Sequence, residues 1–131
     1  MFTKTTRNVK ITATPQFLAD HSEPGDQHYV WAYTIQLENM GKVPVKLLSR
    51  HWKITDAQGL TQEVRGAGVI GQQPVLQPGE AYSYTSGTAL HTASGLMLGE
   101  YEMLAPDSGE HFDVEIPAFS LDSPYQPRVL N

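Results

Sequence analysis

The strongest constraint on the fold is a regular alternation of apolar and polar side chains along several short segments. From Val9 to Phe17, an apolar residue occupies every second position and a polar residue stands between each pair. A period of two places alternate side chains on opposite faces of an extended strand, so this segment is predicted to be a half-buried β-strand. Pro15 has no N–H group for the ladder, which predicts that the strand lies at a sheet edge.

Further segments repeat this signature between clusters of turn residues, and none shows an apolar stripe of helical period. In the third of them the apolar positions change face near Leu47 and Leu48, which predicts a bulge. Seven or eight short antiparallel strands of this kind predict an all-β sandwich of immunoglobulin-like or fibronectin type III-like architecture. The strands are predicted at residues 9–17, 28–40, 45–55, 61–65, 81–86, 96–104 and 112–121.

The length of 131 residues suits one domain, which we place at residues 9–121. Residues 1–8 are expected to be a flexible N-terminus, and residues 122–131 a tail. The first ten residues lack the apolar core of a secretory signal, and no apolar run approaches the roughly 20 residues of a membrane helix. Cysteine is absent, so there is no disulfide framework. We therefore expect a cytoplasmic protein without membrane insertion.

Charge is distributed unevenly along the chain. The formal net charge is −5, which disfavours nucleic acid as a partner because phosphate binding needs clustered lysine and arginine. Residues 66–127 contain eight acidic residues and no lysine or arginine. This half of the chain forms either an ordinary solvated surface or one that attracts cations or a basic partner.

Gly66, Gly68 and Gly71 match the pattern G-x-G-x-x-G. In a dinucleotide-binding fold these glycines precede a helix whose N-terminus holds a pyrophosphate. Here Pro74 follows within the first turns of any such helix, so a dinucleotide-binding fold is disfavoured. Two interpretations remain: a loop whose N–H groups bind an anion with help from Arg65, or a loop that needs glycine for its backbone conformation and packing.

Arg50 has the same phase as the apolar residues Trp52 and Ile54, which predicts an inward-facing arginine. Such a group must be paired or must reach solvent at the sheet margin. With a simple turn at residues 56–59, Glu63 would lie opposite Trp52 and diagonal to Arg50. The two interpretations are a structural Arg50–Glu63 pair near Trp52 and an arginine that reads an anion beside the glycine loop.

The sequence shows no catalytic constellation. The five histidines lack metal-ligand spacing, and His51, out of phase with Trp52, is expected at the surface. Serine nucleophiles lack a partner histidine at an informative spacing, and no cofactor motif is evident, so we expect neither an enzyme nor a cofactor. Glu100 and Glu102 share one strand face and are the candidates for binding a divalent cation.

Several blocks of the chain together resemble the bacterial ApaG family, also called CorD. They are VKLLSRHWKITD at 45–56, EVRGAGVIGQQP at 63–74, PG at 78–79, YSYTSG at 82–87, GLMLGEY at 95–101 and IPAFSL at 116–121. The resemblance implies the same sandwich fold and domains that can pair as homodimers. It also implies an association with cobalt resistance and magnesium efflux, and a locus shared with a dinucleoside-tetraphosphate hydrolase.

A related domain, attached to certain F-box and polymerase-interacting proteins, resembles a protein-interaction module, and the family supplies no catalytic residue to transfer. The leading hypothesis is therefore a non-enzymatic module that binds a protein partner and influences divalent-cation homeostasis. An exposed sheet face or the 66–71 loop, with Arg50 and Trp52, would form the contact. The alternative hypothesis is a pyrophosphate-bearing nucleotide held by the glycine loop and Arg65.

Overall fold

The computed structural model describes residues 1–126 and contains nine strands and two short 3₁₀ turns, Ala19–His21 and Pro24–Asp26. The strands are β1 (Phe2–Thr6), β2 (Val9–Phe17), β3 (Tyr29–Asn39), β4 (Val45–Asp56), β5 (Thr61–Ala67), β6 (Val75–Leu76), β7 (Ala81–Leu90), β8 (Gly95–Ala105) and β9 (Glu110–Leu121). The seven predicted strands correspond to β2–β5 and β7–β9. No helix of the described residues is long and apolar enough to cross a membrane.

The strands form two antiparallel sheets packed face to face. One sheet has the order β1-β2-β3-β7, and the other has the order β5-β4-β8-β9 with β6 paired to the end of β4. This arrangement confirms the predicted immunoglobulin-like sandwich. The alternating residues of both inner faces supply the core, because successive side chains of a strand point to opposite faces. Trp31, Tyr101 and Phe119 are among the largest side chains of the core that are less than 2% exposed.

The N-terminal segment differs from the prediction. Residues 2–6 form β1, whose register with β2 runs from Phe2 opposite Ala13 to Thr6 opposite Val9. This pairing exists because Arg7 and Asn8 both adopt a positive φ and turn the chain tightly back on itself. β2 is consequently not an edge strand along most of its length, but β1 ends before Pro15, so this proline needs no partner on that side.

The predicted bulge is confirmed in β4. The register between β4 and β8 shifts between Leu47 and Ser49. Leu47 is buried, and after the extra residue Trp52 and Ile54 also face inward. Because of the bulge, odd-numbered residues before it and even-numbered residues after it face the core. Arg50 follows the bulge and therefore points inward.

At the other end of the chain, the segment expected to be a tail from 122 onward begins with ordered contacts. Ser123 is buried and donates a 2.6 Å hydrogen bond to the carbonyl of Ala93. The carbonyl of Asp122 accepts a 2.8 Å hydrogen bond from Trp31 Nε1. Residues 127–131 of the predicted tail lie outside the described residues.

The two long sides of the sandwich differ. On the side we call the closed side, the edge strands β1 and β9 contact each other, and β2 also contacts β9. On the opposite side, which we call the open side, the edge strands are β5 and β7. A cleft of about 330 Å³ separates these two edges. The residues that line it are Tyr33, Arg50, Trp52, Ile54, Gln62, Val64, Ser86, Gly87, Thr88 and Ala89.

Candidate functional site

Arg50 extends from β4 across the inner face of β5 and binds the chain that follows this strand. Its Nη1 atom donates hydrogen bonds to the carbonyls of Gly68, at 2.9 Å, and Ala67, at 3.3 Å. Arg50 lies directly opposite Gly66, where a Cβ atom would be only 2.6 Å from Nη1. The first glycine of the motif therefore provides the space through which the guanidinium reaches the loop.

The other two motif glycines allow the loop to turn. Gly68 has a φ of +61°, and a Cβ atom there would be 2.2 Å from the carbonyl oxygen of Gln72. Gly71, with a φ of +72°, forms the turn between Val69 and Gln72 together with Ile70, whose φ is +48°. Local structure thus explains why each of these positions is occupied by glycine, since a left-handed backbone and a close approach both favour a residue without a side chain.

The loop uses several of its N–H groups internally. Gly68 N–H donates to the carbonyl of Leu48, and Val69 and Gln72 exchange two backbone hydrogen bonds. Val69 is also completely buried, which anchors the loop to the core. No helix follows Gly71 within the described residues, so the loop lacks the structural context of a dinucleotide-binding motif.

The predicted Arg50–Glu63 pair is wrong because the hairpin register differs by one residue. Asp56 Oδ1 accepts hydrogen bonds from the amides of Gln58 and Leu60, so Leu60 belongs to the turn. Trp52 consequently lies opposite Val64, and Glu63 lies opposite Lys53. Glu63 then points to the outer face of the sheet, whereas Arg50 points inward.

Arg65 also lies on the outer face, and its side chain is 72% exposed. Its Nη2 atom is 4.0 Å from Glu63 Oε1. The side chains of Arg50 and Arg65 are thus separated by the sheet, and the structure does not bring these two predicted anion-binding residues together.

His51 lies on the outer face, as the sequence predicted, but neighbouring side chains cover most of it. Its side chain is only 13% exposed and lies between two carboxylates, with Nε2 2.9 Å from Glu63 Oε1 and Nδ1 3.3 Å from Glu100 Oε1. The hydrogen bond and positive charge of His51 lower the pKa of Glu63. Its partners come from strands on either side of β4, so spacing along the chain carries no signal for this contact.

The candidate cation ligands Glu100 and Glu102 lie on the same outer face. They stand directly opposite Glu115 and Asp113, two further acids. Glu102 accepts a 3.2 Å hydrogen bond from Ser49 and lies 3.2 Å from His111 Nδ1. Among residues 1–126, no three or more histidine, aspartate or glutamate side chains are arranged to hold a metal ion. The geometry therefore does not favour a preformed metal site.

Trp52 lines the cleft on the open side and carries a buried hydrogen-bond donor. It is 2% exposed, and Nε1 has no hydrogen-bond partner among the described residues. A Cβ atom at Gly99 would be 3.1 Å from Trp52 Cε3, so this edge of the indole packs over β8. The ring also packs edge-on against Tyr33 and Phe119, with centroid distances of 5.3 Å and 6.0 Å.

A buried tyrosine pair stands close to Arg50 behind the cleft. The hydroxyl oxygens of Tyr84 and Tyr101 are 2.5 Å apart and share a hydrogen bond. Burial is the main reason that the pKa of each hydroxyl is raised, and the charge of Arg50 opposes the shift. Both groups therefore stay protonated at neutral pH and act as neutral hydrogen-bonding groups.

Taken together, the fold and this site define an immunoglobulin-like sandwich with a cleft on its open side. An arginine and a tryptophan line the cleft, and the indole N–H of the tryptophan is unpaired within residues 1–126. The family model of the ApaG domain matches residues 19–105. The chain therefore belongs to the ApaG domain family. It is 56% identical to the protein ApaG of Paramagnetospirillum magneticum and 55% identical to that of Azorhizobium caulinodans, in each case over 131 residues and all of both chains.

The solved structures agree with this assignment. A crystal structure of a protein described as ApaA from Bordetella pertussis is 44% identical in sequence to this chain. It superposes with a TM-score of 0.86, and the match covers 90% of this chain and 95% of the other. The sandwich described above is therefore the fold of this family.

Proposed function

We propose that the chain is a non-enzymatic cytoplasmic module that binds a protein partner through the open side of the sandwich. One observation carries the proposal: among residues 1–126, this side leaves a sheet edge unpaired next to a cleft lined by Trp52, whose buried indole N–H has no partner in that range. A buried donor without an acceptor is unfavourable by about 1–3 kcal/mol. A partner that supplies an acceptor would remove this penalty when it binds.

The chemistry of the cleft supports a binding role rather than catalysis. Ser86 and Thr88 are the hydroxyl residues of its lining besides Tyr33, and the lining contains no histidine, aspartate or glutamate. A serine or threonine hydroxyl needs an adjacent base before it acts as a nucleophile. The cleft can therefore donate hydrogen bonds and bury apolar surface, but it has no group suited to activate a hydroxyl.

The experiment is capture of partners from a native cell extract by the immobilised chain. Val64→Lys places a charge at the cleft, whereas Leu98→Lys changes an equally exposed residue on the outer face, since each is 38% exposed. We expect reproducible capture by the unmodified chain and by Leu98→Lys, and loss of capture by Val64→Lys. Failure of the unmodified chain to retain any partner, or equal capture by both variants, would contradict the proposal.

We further propose that the association with cobalt and magnesium homeostasis is indirect and acts through this partner. The absence of a metal-holding cluster in residues 1–126 supports an indirect route. Cells that carry Val64→Lys in place of the natural chain should accumulate cobalt like cells that lack the chain. Normal cobalt accumulation in the Val64→Lys cells, together with a defect in the deletion strain, would refute the link to the open side.

A second candidate function is binding of a pyrophosphate-bearing nucleotide by the 66–71 loop. It is supported by the amides of Ile70 and Gly71, which have no hydrogen-bond partner within residues 1–126. Two adjacent N–H groups of this kind can form a small anion-binding concavity. Calorimetry with a dinucleoside tetraphosphate, with and without Mg²⁺, tests it. Heat that disappears in Arg65→Gln would support this function, and no heat at millimolar ligand would eliminate it.

A further inference from the structure

Charge distinguishes the four edges of the two sheets. β1 carries Lys4, β5 carries Glu63 and Arg65, and β9 carries several acids and a proline. β7 runs for ten residues, AYSYTSGTAL, without a charged residue or a proline. Folded proteins normally protect an exposed edge with charges, prolines or bulges, because its free N–H and C=O groups pair readily with another strand.

The unprotected part of β7 lies beside the cleft. Residues 86–89 of β7 form one wall, and Trp52, Ile54 and Val64 contribute apolar surface to the other parts of the lining. A strand added to β7 would direct alternate side chains toward this cleft, since side chains of a strand alternate between faces. The edge therefore offers main-chain hydrogen bonds, and the cleft offers a position for one or two side chains.

The polar groups of the cleft determine which side chain fits. Arg50 is the single charged residue among the described residues of the lining. Trp52 also lines the cleft, and its buried indole N–H has no acceptor within residues 1–126. Both groups are donors, so a carboxylate is the side chain that complements them in charge and in hydrogen bonding. The negative net charge of the chain opposes an acidic ligand only weakly at physiological salt, because charges beyond about 8 Å are screened.

We propose that the β7 edge binds an extended acidic segment of a partner protein as an additional strand, with an aspartate or glutamate directed to Arg50 and Trp52. This inference rests on the proposed function and specifies the partner's contact segment. A second copy of this chain would pair its own uncharged β7 and bring no carboxylate to the cleft, so the donors favour a different partner.

The test uses nuclear magnetic resonance on the ¹⁵N-labelled chain. The probe is the capped synthetic peptide Thr-Val-Thr-Glu-Thr-Val-Thr, added to millimolar concentration. The two indole N–H signals give an internal comparison, because Trp31 Nε1 already donates to Asp122, whereas Trp52 Nε1 has no partner within residues 1–126. We expect the peptide to shift the Trp52 signal and the amides of residues 81–90 while the Trp31 signal stays in place.

Peptide analogues separate the two parts of the proposal. Replacing the peptide's glutamate by glutamine should weaken binding roughly five- to tenfold, as expected for loss of a charge-assisted hydrogen bond. Two peptides, N-methylated at the odd-numbered or at the even-numbered residues, should behave differently. One should lose binding and the other should retain it, because the N–H groups of only one set face β7. Equal affinity of the glutamate and glutamine peptides, or of both N-methylated peptides, would overturn the inference.

Three further outcomes are informative. If the extract experiment captures a partner that depends on Val64 but no peptide shifts residues 81–90, the proposed function stands and the added strand is refuted. If the chain alone sediments as a dimer and its Trp52 signal shifts with its own concentration, the occupant is a second copy, and the acidic segment is refuted. Binding of acetate that matches the peptide's affinity would likewise refute a strand in favour of a small carboxylate.

Discussion

The closed and open sides of the sandwich solve the same edge problem differently. On the closed side, Lys4 of β1 forms an ion pair with Glu115 of β9, and Arg7 lies 2.7 Å from Glu110. The rings of Phe2 and Phe119 stand 6.2 Å apart on the same side. The open side has no ion pair between its two edges among the described residues, and its arginine turns to the glycine loop instead. The comparison shows that ion pairs and ring contacts between the two sheets, rather than hydrogen bonds between strands, close one side of the sandwich.

The two buried tryptophans show the same difference at single-atom detail. The indole N–H of Trp31 donates to the carbonyl of Asp122, whereas that of Trp52 on the open side has no partner in the described part of the chain. Buried polar groups in folded proteins nearly always have partners, so an exception needs an explanation. A ligand that accepts a hydrogen bond from the Trp52 indole N–H when it binds would be such an explanation.

The largest expected effect comes from the loop that borders the open side. Gly68→Ala should lower the free energy of unfolding by about 2–4 kcal/mol, because its Cβ atom meets backbone and its φ disfavours a side chain. Gly71→Ala has the same backbone problem but no atom within 4 Å of the new Cβ, so we expect a loss of about 1 kcal/mol. Urea denaturation measures both. Equal losses of unfolding free energy would show that the close approach of the Gln72 carbonyl does not add to the cost of a side chain at position 68.

Replacing each tryptophan by phenylalanine compares the two sides directly. Trp31→Phe removes a hydrogen bond, whereas Trp52→Phe removes a donor that has no partner among the described residues. The two substitutions delete the same atoms from buried sites, so the free energy of unfolding should fall by about 1–2 kcal/mol more for Trp31→Phe. Urea denaturation gives this difference. A larger loss for Trp52→Phe would indicate that its N–H already has a favourable interaction in the free protein.

Arg50 and Arg7 provide a matched pair of arginines, one on each side. Arg50→Met retains the aliphatic stem but loses the hydrogen bonds to the loop carbonyls, and it should cost about 1–2 kcal/mol of unfolding free energy. Arg7→Met breaks an ion pair whose partners are each 52% exposed, so the expected loss is about 0–1 kcal/mol. Thermal denaturation distinguishes these values. A smaller loss of unfolding free energy for Arg50→Met than for Arg7→Met would contradict the view that the Arg50 hydrogen bonds stabilise the loop.

Most of the fold was predictable from the sequence because alternation reports directly which face of a strand is buried. The bulge in β4 was predictable for the same reason, since the apolar residues near Leu47 changed phase. β1 was missed because only Phe2 and Thr6 of its five residues are even partly buried, and so it carries little alternation. Its pairing depends on the positive φ of Arg7 and Asn8, and only Asn8 belongs to the residue types that favour turns.

The candidate site was predictable only in part. The inward phase of Arg50 followed from β4, but its partner did not, because the Asp56 carboxylate added Leu60 to the turn and moved Glu63 to the other face. The glycine motif was visible, yet its nearest structural role, space for the Arg50 guanidinium, required two strands to be in register. Contacts across strands, including those of His51, depend on a register that periodicity alone does not determine.

The smallest effect concerns the charge that protects β5 and leaves β7 as the unprotected edge of the open side. The pKa of Glu63 is lowered in the folded chain from the value of 4.5 for a free side chain, mainly by the hydrogen bond from His51. A carboxyl group with a lowered pKa stabilises the fold above its unfolded pKa and loses this contribution as pH falls through its folded pKa.

Glu63→Gln should therefore lower the urea midpoint slightly at pH 7, and the difference from the unmodified chain should shrink as pH falls below about 4.5. His51→Gln is the control, because without the imidazole the Glu63→Gln substitution should have little further effect at any pH. A difference that grows with acidity would mean that Glu63 is more easily protonated in the folded chain than in the unfolded one. In that case the contact with His51 would not favour the charged form of Glu63 in the folded chain.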